Sequence, residues 1–220
     1  MPGLLFCLAL YGQSMEQTDK YSYLALGDSY TIGESVDRQE RFPEQLCQAL
    51  ACRGYLIETL HVVAQTGWTT EELMEALEPD TLHPSYSMVT LLIGVNDQYR
   101  GYPVSSYPER FSQLLDFALE KAGGVARRVV VLSIPDWGVT PFAEGRDRAE
   151  IARQINAYNA VNDSLARQAG VHYVEVTDIS RQADRDPSLV AGDGLHPSGA
   201  MYARWVERLV PVALQIIDKD

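Results

Sequence analysis

A serine, an aspartate and a histidine stand in two short segments whose spacing permits nucleophilic chemistry. Ser29 follows Gly27 and Asp28 at the end of an apolar run, in the segment ALGDSYTIG. Asp193 and His196 stand three residues apart in AGDGLHPSGA. A serine hydroxyl is a poor nucleophile at neutral pH, so it needs a base, and the base needs a group that orients it. In a tight loop, the Asp193 carboxylate can accept from one ring nitrogen of His196, which leaves the other nitrogen to face a serine.

Two further residues supply donors for the oxyanion that forms when a nucleophile attacks a carbonyl. Gly67, in AQTGWTT, has no side chain to keep a ligand from its N–H, and Asn96, in GVND, carries a side-chain NH₂. The N–H of Ser29 would be a third donor. Each segment also has an ordinary interpretation, because Gly, Asp, Asn and Ser are common turn residues. Taken singly, each segment leaves both interpretations open.

Alternating strand-like and helix-like segments predict the elements that carry these residues. Apolar runs rich in Val, Ile and Leu are typical of parallel strands covered on both faces, and they occupy 21–27, 56–64, 87–94, 128–134 and 171–177. Helices are predicted at 42–53, 107–122, 147–169 and 198–217. A further helix is predicted to begin after Thr69, where the sequence has capping-box spacing. The alternation predicts an α/β sandwich around a five-stranded, mostly parallel sheet.

The order of the strands decides where the chemistry-bearing residues meet. With the order 2-1-3-4-5, the switch point lies between the first and third strands, and ligands bind beyond the carboxyl ends of the strands there. Ser29, Gly67 and Asn96 follow the first, second and third strands, and the Asp193 segment follows the last. The sequence therefore predicts that all four segments lie at one edge of the sheet.

The joint pattern resembles the SGNH hydrolase family, the GDSL-type esterases and lipases. Its four blocks occur in order as GDSY with Ser29, AQTGWT with Gly67, GVND with Asn96, and DGLH with Asp193 and His196. The resemblance covers residues 21 to 217. It implies a flavodoxin-like three-layer α/β/α fold and hydrolysis of esters or thioesters without a metal or other cofactor. It also implies attack by Ser29, proton transfer to His196, orientation of His196 by Asp193, and an oxyanion hole formed by Ser29, Gly67 and Asn96.

Residues around these blocks are expected to support the site or to shape it. Asp28, Gly94 and Asp97 are interpreted as supports through turn geometry and hydrogen bonds. The loops 97–110 and 135–146 follow the third and fourth strands and should overhang the site. Four aromatic residues in these loops either line an apolar substrate pocket or pack the loops onto the body: Tyr99, Tyr102, Trp137 and Phe142. Arg100 either meets an anionic group of the substrate or is solvated.

Composition restricts the class of partner. The chain has 220 residues, 46% of them hydrophobic, so one domain with a substantial core is expected. Its formal net charge is −12. The charge speaks against nucleic acid and anionic membrane surfaces as partners. A small-molecule ester is the partner that the resemblance implies. Cys47 and Cys52 are expected to be buried apolar residues, because five residues apart on a helix their Cα atoms lie roughly 8.6 Å from each other, too far for a disulfide. The cysteines and histidines show no metal-binding spacing.

The N-terminal segment is treated separately from the fold. Residues 4–10 are apolar and are followed by small and polar residues, which resembles a secretory signal peptide without its positive start. The run is too short to span a bilayer, so stable membrane insertion is not expected. Residues 1–18 are therefore predicted to be signal-like or disordered, and 19–220 a single domain. The protein is expected to be exported to the periplasm or the extracellular space, or cytoplasmic if the segment is not a signal.

Three functions remain open at this point. The leading hypothesis is a carboxylic ester hydrolase, either a general esterase or a lysophospholipase-like acyl hydrolase. The second is a carbohydrate O-deacetylase with the same chemistry. The third is a non-catalytic relative that binds carbohydrate or lipid, against which the intact Ser29, Asp193 and His196 speak.

Overall fold

A five-stranded parallel sheet forms the centre of the molecule. The computed structural model describes residues 20–77 and 82–218. The strand order is β2-β1-β3-β4-β5, with every pair parallel. The strands are β1 (Lys20–Gly27), β2 (Leu56–Ala64), β3 (Met88–Leu92), β4 (Val129–Leu132) and β5 (His172–Val174). The predicted fold class and strand order are confirmed.

The α-helices of the described residues are α1 (Ser29–Ile32), α2 (Phe42–Ala51), α3 (Thr70–Glu75), α4 (Val95–Tyr99), α5 (Tyr107–Lys121), α6 (Arg148–Ala169), α7 (Thr177–Ser180) and α8 (Gly199–Ile217). Helices α2, α3, α5, α6 and α8 fall close to the predicted segments, whereas the short helices α1, α4 and α7 were not predicted. The capping box at Thr69 is formed with Glu72. The fifth strand is shorter than predicted, because the run that continues it to residue 177 leads into α7.

Helices cover the sheet in two groups, which explains the apolar strands. Helix α2 packs against α8, and α5 packs against α3 and α6. Every residue of β3 and β4 is buried, as the continuous apolar runs predict. The edge strand β2 is only partly covered, and Leu56 at its start is 47% exposed. The carboxyl-terminal parts of the three central strands, β1, β3 and β4, are therefore buried below the segments that follow them.

The register of the sheet makes three strands end side by side. Gly27, the last residue of β1, pairs with Ala64 at the end of β2 and with Leu92 at the end of β3. The segments that leave these three strands therefore start from one edge and at one level. Ser29, Gly67 and Asn96 follow within two to four residues of those ends.

Gly94 shapes the turn between β3 and α4. Its φ of 120° lies in the region that favours glycine, and a Cβ there would stand 2.3 Å from the hydroxyl oxygen of Tyr107. That hydroxyl donates to the Ile93 carbonyl over 2.9 Å. The crowding explains why the turn that delivers Asn96 requires a glycine, as expected for a supporting residue.

The structure corrects the expectation for Cys52, and the predicted N-terminal segment lies outside the described residues. Cys52 is exposed, because it caps the C-terminus of α2 where the chain turns away from the body, so the expectation that it is buried is wrong. Cys47 is partly buried, and both thiols are free. The signal-like segment 1–18 lies outside the described residues. Among the helices that are described, none is long and apolar enough to cross a membrane.

The last helix is tied to the turn that carries Ser29 by one buried hydrogen bond, which gives a first testable consequence. The Tyr202 hydroxyl donates to the Tyr30 carbonyl over 2.9 Å. Tyr202→Phe leaves that carbonyl without its donor, so we expect the free energy of unfolding to fall by about 1–3 kcal/mol in urea denaturation. Tyr55→Phe is the matched control, because its hydroxyl donates to Asp218 at the exposed surface. Equal stability of the Tyr202→Phe variant and the wild type would contradict this role.

Candidate active site

A cavity of about 170 Å³ opens beyond the carboxyl ends of β1, β2 and β3. It is lined by Ser29, Tyr30, Thr66, Gly67, Val95, Asn96, Tyr99, Trp137, Phe142, Leu195 and His196. The structure thus brings together residues from all four predicted segments. Within residues 20–77 and 82–218, no three His, Cys, Asp or Glu side chains are grouped as a metal site would require.

Ser29 occupies the first position of helix α1, directly after the N-cap Asp28. The Asp28 side chain accepts from the Tyr30 N–H over 3.0 Å, and the Asp28 carbonyl accepts from the Thr31 N–H over 3.0 Å. The N–H of Ser29 lies in the first turn, where a helix offers no acceptor for it. The local sequence therefore presents both the hydroxyl and the N–H of Ser29 at the sheet edge.

The carboxyl of Asp28 is fully buried beneath this turn. Burial raises its pKa to about 8, the hydrogen bond from Tyr30 opposes that shift, and the nearby Asp97 adds to it. Its second oxygen has no hydrogen-bond partner among the described residues. Because an unpaired buried carboxylate is costly, the neutral acid is the favoured form of Asp28 at pH 7.

His196 and Asp193 form a hydrogen-bonded pair. Nδ1 of His196 lies 2.5 Å from Oδ2 of Asp193, and the backbone N–H groups of Leu195 and His196 both donate to Oδ1 over 3.0 Å. Ser35 donates its hydroxyl to Oδ2 over 2.8 Å. Burial acts to raise the pKa of Asp193, but these hydrogen bonds, that from His196 foremost, outweigh burial and hold the pKa well below its usual value. Asp193 is therefore an anion that fixes one ring nitrogen of His196.

A tight loop produces this pair. Val190 and Pro197 form an antiparallel bridge, and the Ala191 N–H donates to the His196 carbonyl over 2.7 Å. The loop closes on itself, so residues three apart in sequence face each other. Nδ1 is engaged by Asp193, and Nε2 is the nitrogen left for a reaction partner.

Ser29 and His196 line the same cavity, and among the described residues no hydrogen bond joins their side chains. We predict that Oγ of Ser29 lies within about 2.6–3.2 Å of a ring nitrogen of His196, or somewhat further when no substrate is bound. Hydrogen bonds between a nucleophile and its base are often long before substrate binds.

Gly67 and Asn96 both line the cavity, from the ends of the neighbouring strands. The φ of Gly67 is 89°, a backbone conformation that favours glycine. Space is not the reason for glycine here, because a Cβ at this position would meet no atom within 4 Å. No described residue accepts a hydrogen bond from its N–H. Asn96 donates one amide hydrogen to the Trp68 carbonyl over 2.9 Å, which leaves the second hydrogen on Nδ2. Asp97 accepts from the N–H and hydroxyl of Thr70, over 2.9 and 2.6 Å, and so ties α4 to α3.

Three aromatic rings form one wall of the cavity. Tyr99, Trp137 and Phe142 lie with ring centroids 5.5–6.2 Å apart, and the Arg146 guanidinium carbon lies 5.3–5.4 Å from each of the three centroids. Trp137 is 4% exposed and donates its indole N–H to Gln98, whereas Tyr99 and Phe142 are 46% and 41% exposed. The two interpretations of these loops therefore combine, since Trp137 both packs onto the body and faces the cavity.

Two residues from the same loops lie elsewhere. Tyr102 does not line the cavity, because its ring lies against Arg110 and its carbonyl accepts from Tyr158 beside helix α6. Arg100 is neither free for a substrate nor merely solvated. Its guanidinium donates to the Gly67 carbonyl and to both carboxylate oxygens of Glu72.

Sequence reasoning missed Ser35. It is the one residue other than glycine with a positive φ, 65°, in the described part of the chain, and it reaches Asp193 across 158 residues of sequence. A backbone conformation of this kind is costly for a non-glycine residue and is found at functional sites. Serine in the segment GESVD gives no sign of it. Glu34, the neighbour of Ser35, accepts from Thr66 beside Gly67 and joins two of the four segments.

Comparison with known proteins identifies the class of protein. The sequence profile of the GDSL-like lipase/acylhydrolase family matches residues 25–204. The chain belongs to this family, and its fold is that of the SGNH hydrolases. No curated protein matches the chain.

Solved structures with the same fold differ widely from this chain in sequence. TesA is 21% identical with a TM-score of 0.68, and the match covers 89% of this chain and 99% of TesA. Phospholipase A1 from Streptomyces albidoflavus is 20% identical with a TM-score of 0.66, over 89% and 98% of the two chains. A variant of Axe2, an acetyl xylan esterase from Geobacillus stearothermophilus, is 19% identical with a TM-score of 0.62, over 88% and 94%. At these identities the likeness shows the fold.

The protonated state of Asp28 predicts a pH dependence of stability. A carboxyl whose pKa is higher in the folded than in the unfolded chain holds a proton that unfolding releases, so the free energy of unfolding falls as pH rises from about 4 to about 8. Asp28→Asn keeps an acceptor for Tyr30 and does not titrate. We expect the stability of this variant relative to wild type to increase between pH 5 and pH 7.5, by up to about 1.4 kcal/mol per pH unit in urea denaturation.

Asp178→Asn is the matched control for this measurement, because its partner is an arginine, which does not titrate in this range. The hydrogen bonds from Arg208 lower the pKa of Asp178 on folding, so its contribution to stability is lost only below about pH 4 and is constant between pH 5 and pH 7.5. A constant difference between Asp28→Asn and wild type over this range would show that Asp28 is ionised in the folded protein.

Proposed function

We propose that the protein hydrolyses carboxylic esters with short acyl groups through an acyl-enzyme on Ser29. The observation that carries the proposal is the convergence of Ser29 with the hydrogen-bonded pair of His196 and Asp193 in one cavity of the sheet edge. Membership of the GDSL-like lipase/acylhydrolase family supports it.

The first half of the reaction forms the acyl-enzyme. Oγ of Ser29 attacks the carbonyl carbon of the ester, and Nε2 of His196 takes the hydroxyl proton. The Asp193 carboxylate, charged at neutral pH, holds the ring in position through Nδ1 and stabilises the imidazolium. The tetrahedral intermediate collapses, the bond to the leaving oxygen breaks, and His196 returns the proton to the departing alcohol.

The second half releases the acid. Water occupies the place of the alcohol, gives a proton to His196 and attacks the acyl carbon. The intermediate collapses onto the free acid, and His196 returns the proton to Oγ of Ser29. In both halves the oxyanion accepts from the N–H groups of Ser29 and Gly67 and from the second amide hydrogen of Asn96. These donors stabilise charge that exists only near the transition state, so they act on kcat.

The size of the cavity supports a short acyl group. Pockets for drug-sized ligands measure roughly 300–1,000 Å³, whereas this cavity measures about 170 Å³. The same observation favours a second candidate, a carbohydrate O-deacetylase, because an acetyl group is the smallest acyl group with a carbon chain. The half-exposed rings of Tyr99 and Phe142 at the cavity would then face the leaving group.

Chain-length dependence tests the substrate proposal. We expect kcat/KM for p-nitrophenyl esters to be highest for acetyl or butyryl and to fall for octanoyl and dodecanoyl, because longer chains exceed the cavity. A lysophospholipase-like enzyme would instead prefer the long chains. Ser29→Ala is the control, and it should abolish hydrolysis with every ester. Hydrolysis by the Ser29→Ala variant at the wild-type rate would show that Ser29 is not the nucleophile.

Acetylated sugars separate the two candidate functions. A deacetylase should release acetate from acetylated xylose or xylan and lose activity beyond acetyl. A general esterase should accept butyryl and acetyl esters alike and show no preference for a sugar as the leaving group. Acetate release measured with both substrate types decides between the two candidates.

Removal of the Asn96 donor tests the oxyanion hole. We expect Asn96→Ala to lower kcat for p-nitrophenyl acetate by about 100- to 1,000-fold, with KM nearly unchanged. Thr70→Ala is the matched control, since it breaks a hydrogen bond that holds the same turn but donates nothing to the cavity. If both variants lose activity equally, and KM and melting temperature change together, Asn96 serves only to hold the turn.

A further inference from the structure

Arg100 lies directly after helix α4 and makes three hydrogen bonds with residues of the Gly67–α3 region. Its Nη2 donates to the Gly67 carbonyl over 2.7 Å and to Oε2 of Glu72 over 3.0 Å. Its Nη1 donates to Oε1 of Glu72 over 3.1 Å. A guanidinium that forks onto a carboxylate is held in a fixed plane, and such charge-assisted bonds are about twice as strong as neutral ones.

Glu72 is the partner that supports Arg100, and the two side chains are 38% and 40% exposed, respectively. Its Oε2 accepts from the Thr69 N–H over 2.8 Å as part of the capping box of α3. The chain of contacts runs from α4 through Arg100 to Glu72 and back to the residue that starts α3. The turn 65–69 is therefore held at its start by strand β2 and at its end by the contacts of Glu72 with Thr69 and Arg100.

Two successive carbonyls of this turn are held by side chains of the α4 segment. The Gly67 carbonyl accepts from Arg100, and the Trp68 carbonyl accepts from Nδ2 of Asn96 over 2.9 Å. These bonds hold the two peptide groups that follow the Gly67 Cα, whereas the Gly67 N–H belongs to the peptide group before it. That preceding group is held from the other side by the end of β2 and by the Trp68 N–H, which donates to the Gln65 carbonyl over 3.3 Å. A turn glycine samples both signs of φ at little cost, so the N–H of Gly67, which has no acceptor among the described residues, keeps its direction only while both sides of the turn hold φ near 89°.

We propose that Arg100, supported by Glu72, is a positioning residue that locks the Gly67 turn and thereby keeps the Gly67 N–H directed at the oxyanion. The role rests on the proposed function, because it has meaning only if an oxyanion forms there. Arg100 touches no reacting atom. Its guanidinium is engaged by Glu72 and Gly67, so it does not serve as a binding group for an anionic substrate.

Substitution of Arg100 tests the proposal on the full chain. Arg100→Met keeps much of the aliphatic side chain and removes every donor. We expect kcat for p-nitrophenyl acetate to fall about 10-fold or more, less than the loss of a donor itself, with KM within twofold of wild type. The inhibition constant of phenylboronic acid, whose adduct with a serine carries a tetrahedral anion, should rise by a similar factor. Arg100→Lys keeps one charged donor and should recover part of kcat.

Arg153→Met is the matched control, because Arg153 also forks onto a glutamate, Glu150, but on the surface of α6 away from the turn. It should leave kcat, KM and the inhibition constant unchanged. The proposal is overturned if wild type hydrolyses the ester and Arg100→Met matches it in kcat. It is also overturned if kcat, KM and melting temperature change in parallel, or if Arg100→Lys is no better than Arg100→Met. Absence of hydrolysis by the wild type itself would overturn the proposed function, and the role of Arg100 with it.

Discussion

The common ending of three parallel strands is the constraint on which the rest of the site depends. Gly27 is paired with Ala64 on one side and Leu92 on the other, so the chain leaves the sheet three times at the same level. Ser29, Gly67 and Asn96 lie two to four residues beyond these strand ends, and all three line the same cavity. Helices pack on both faces of the strands, so every residue of β3 and β4 is buried up to the edge from which these segments leave.

Two aspartates at this edge show how environment assigns opposite states to one residue type. Asp28 is fully buried with a single hydrogen bond from Tyr30, and burial raises its pKa to about 8. Asp193 accepts from His196, two backbone N–H groups and Ser35, and its pKa is lowered. The neutral acid caps the turn of the serine without adding charge beneath it. The anion lies where a positive imidazolium would form.

The sequence was sufficient for the fold and for the segments that meet at the site. Continuous apolar strands, helix caps and glycines are local signals, and the strand order is the one expected for the flavodoxin-like fold that the resemblance implies. Burial could not be assigned in the same way for Cys52, because its exposure depends on where the chain leaves α2. Tyr102 and Tyr99 are both tyrosines of the loop 97–110, yet the ring of Tyr102 lies beside Arg110 and outside the cavity.

The contacts that support the site from a distance were beyond sequence reasoning. Ser35, whose φ is positive, donates to Asp193, and Arg100, which follows α4, donates to the Gly67 carbonyl in the turn before α3. Both contacts join residues far apart in sequence, and neither residue type is distinctive in its segment. Residues of this kind hold the groups of the cavity in place, and the fold has to be known before they can be recognised.

Covalent labelling of the serine tests the central claim most directly. Diethyl p-nitrophenyl phosphate phosphorylates a serine only when a neighbouring base activates it. We expect one diethylphosphoryl group per chain by intact mass, located on the peptide that contains Ser29, and a labelling rate that falls by orders of magnitude in the His196→Ala variant. Labelling of another residue, or equally fast labelling of Ser29 in the His196→Ala variant, would contradict it.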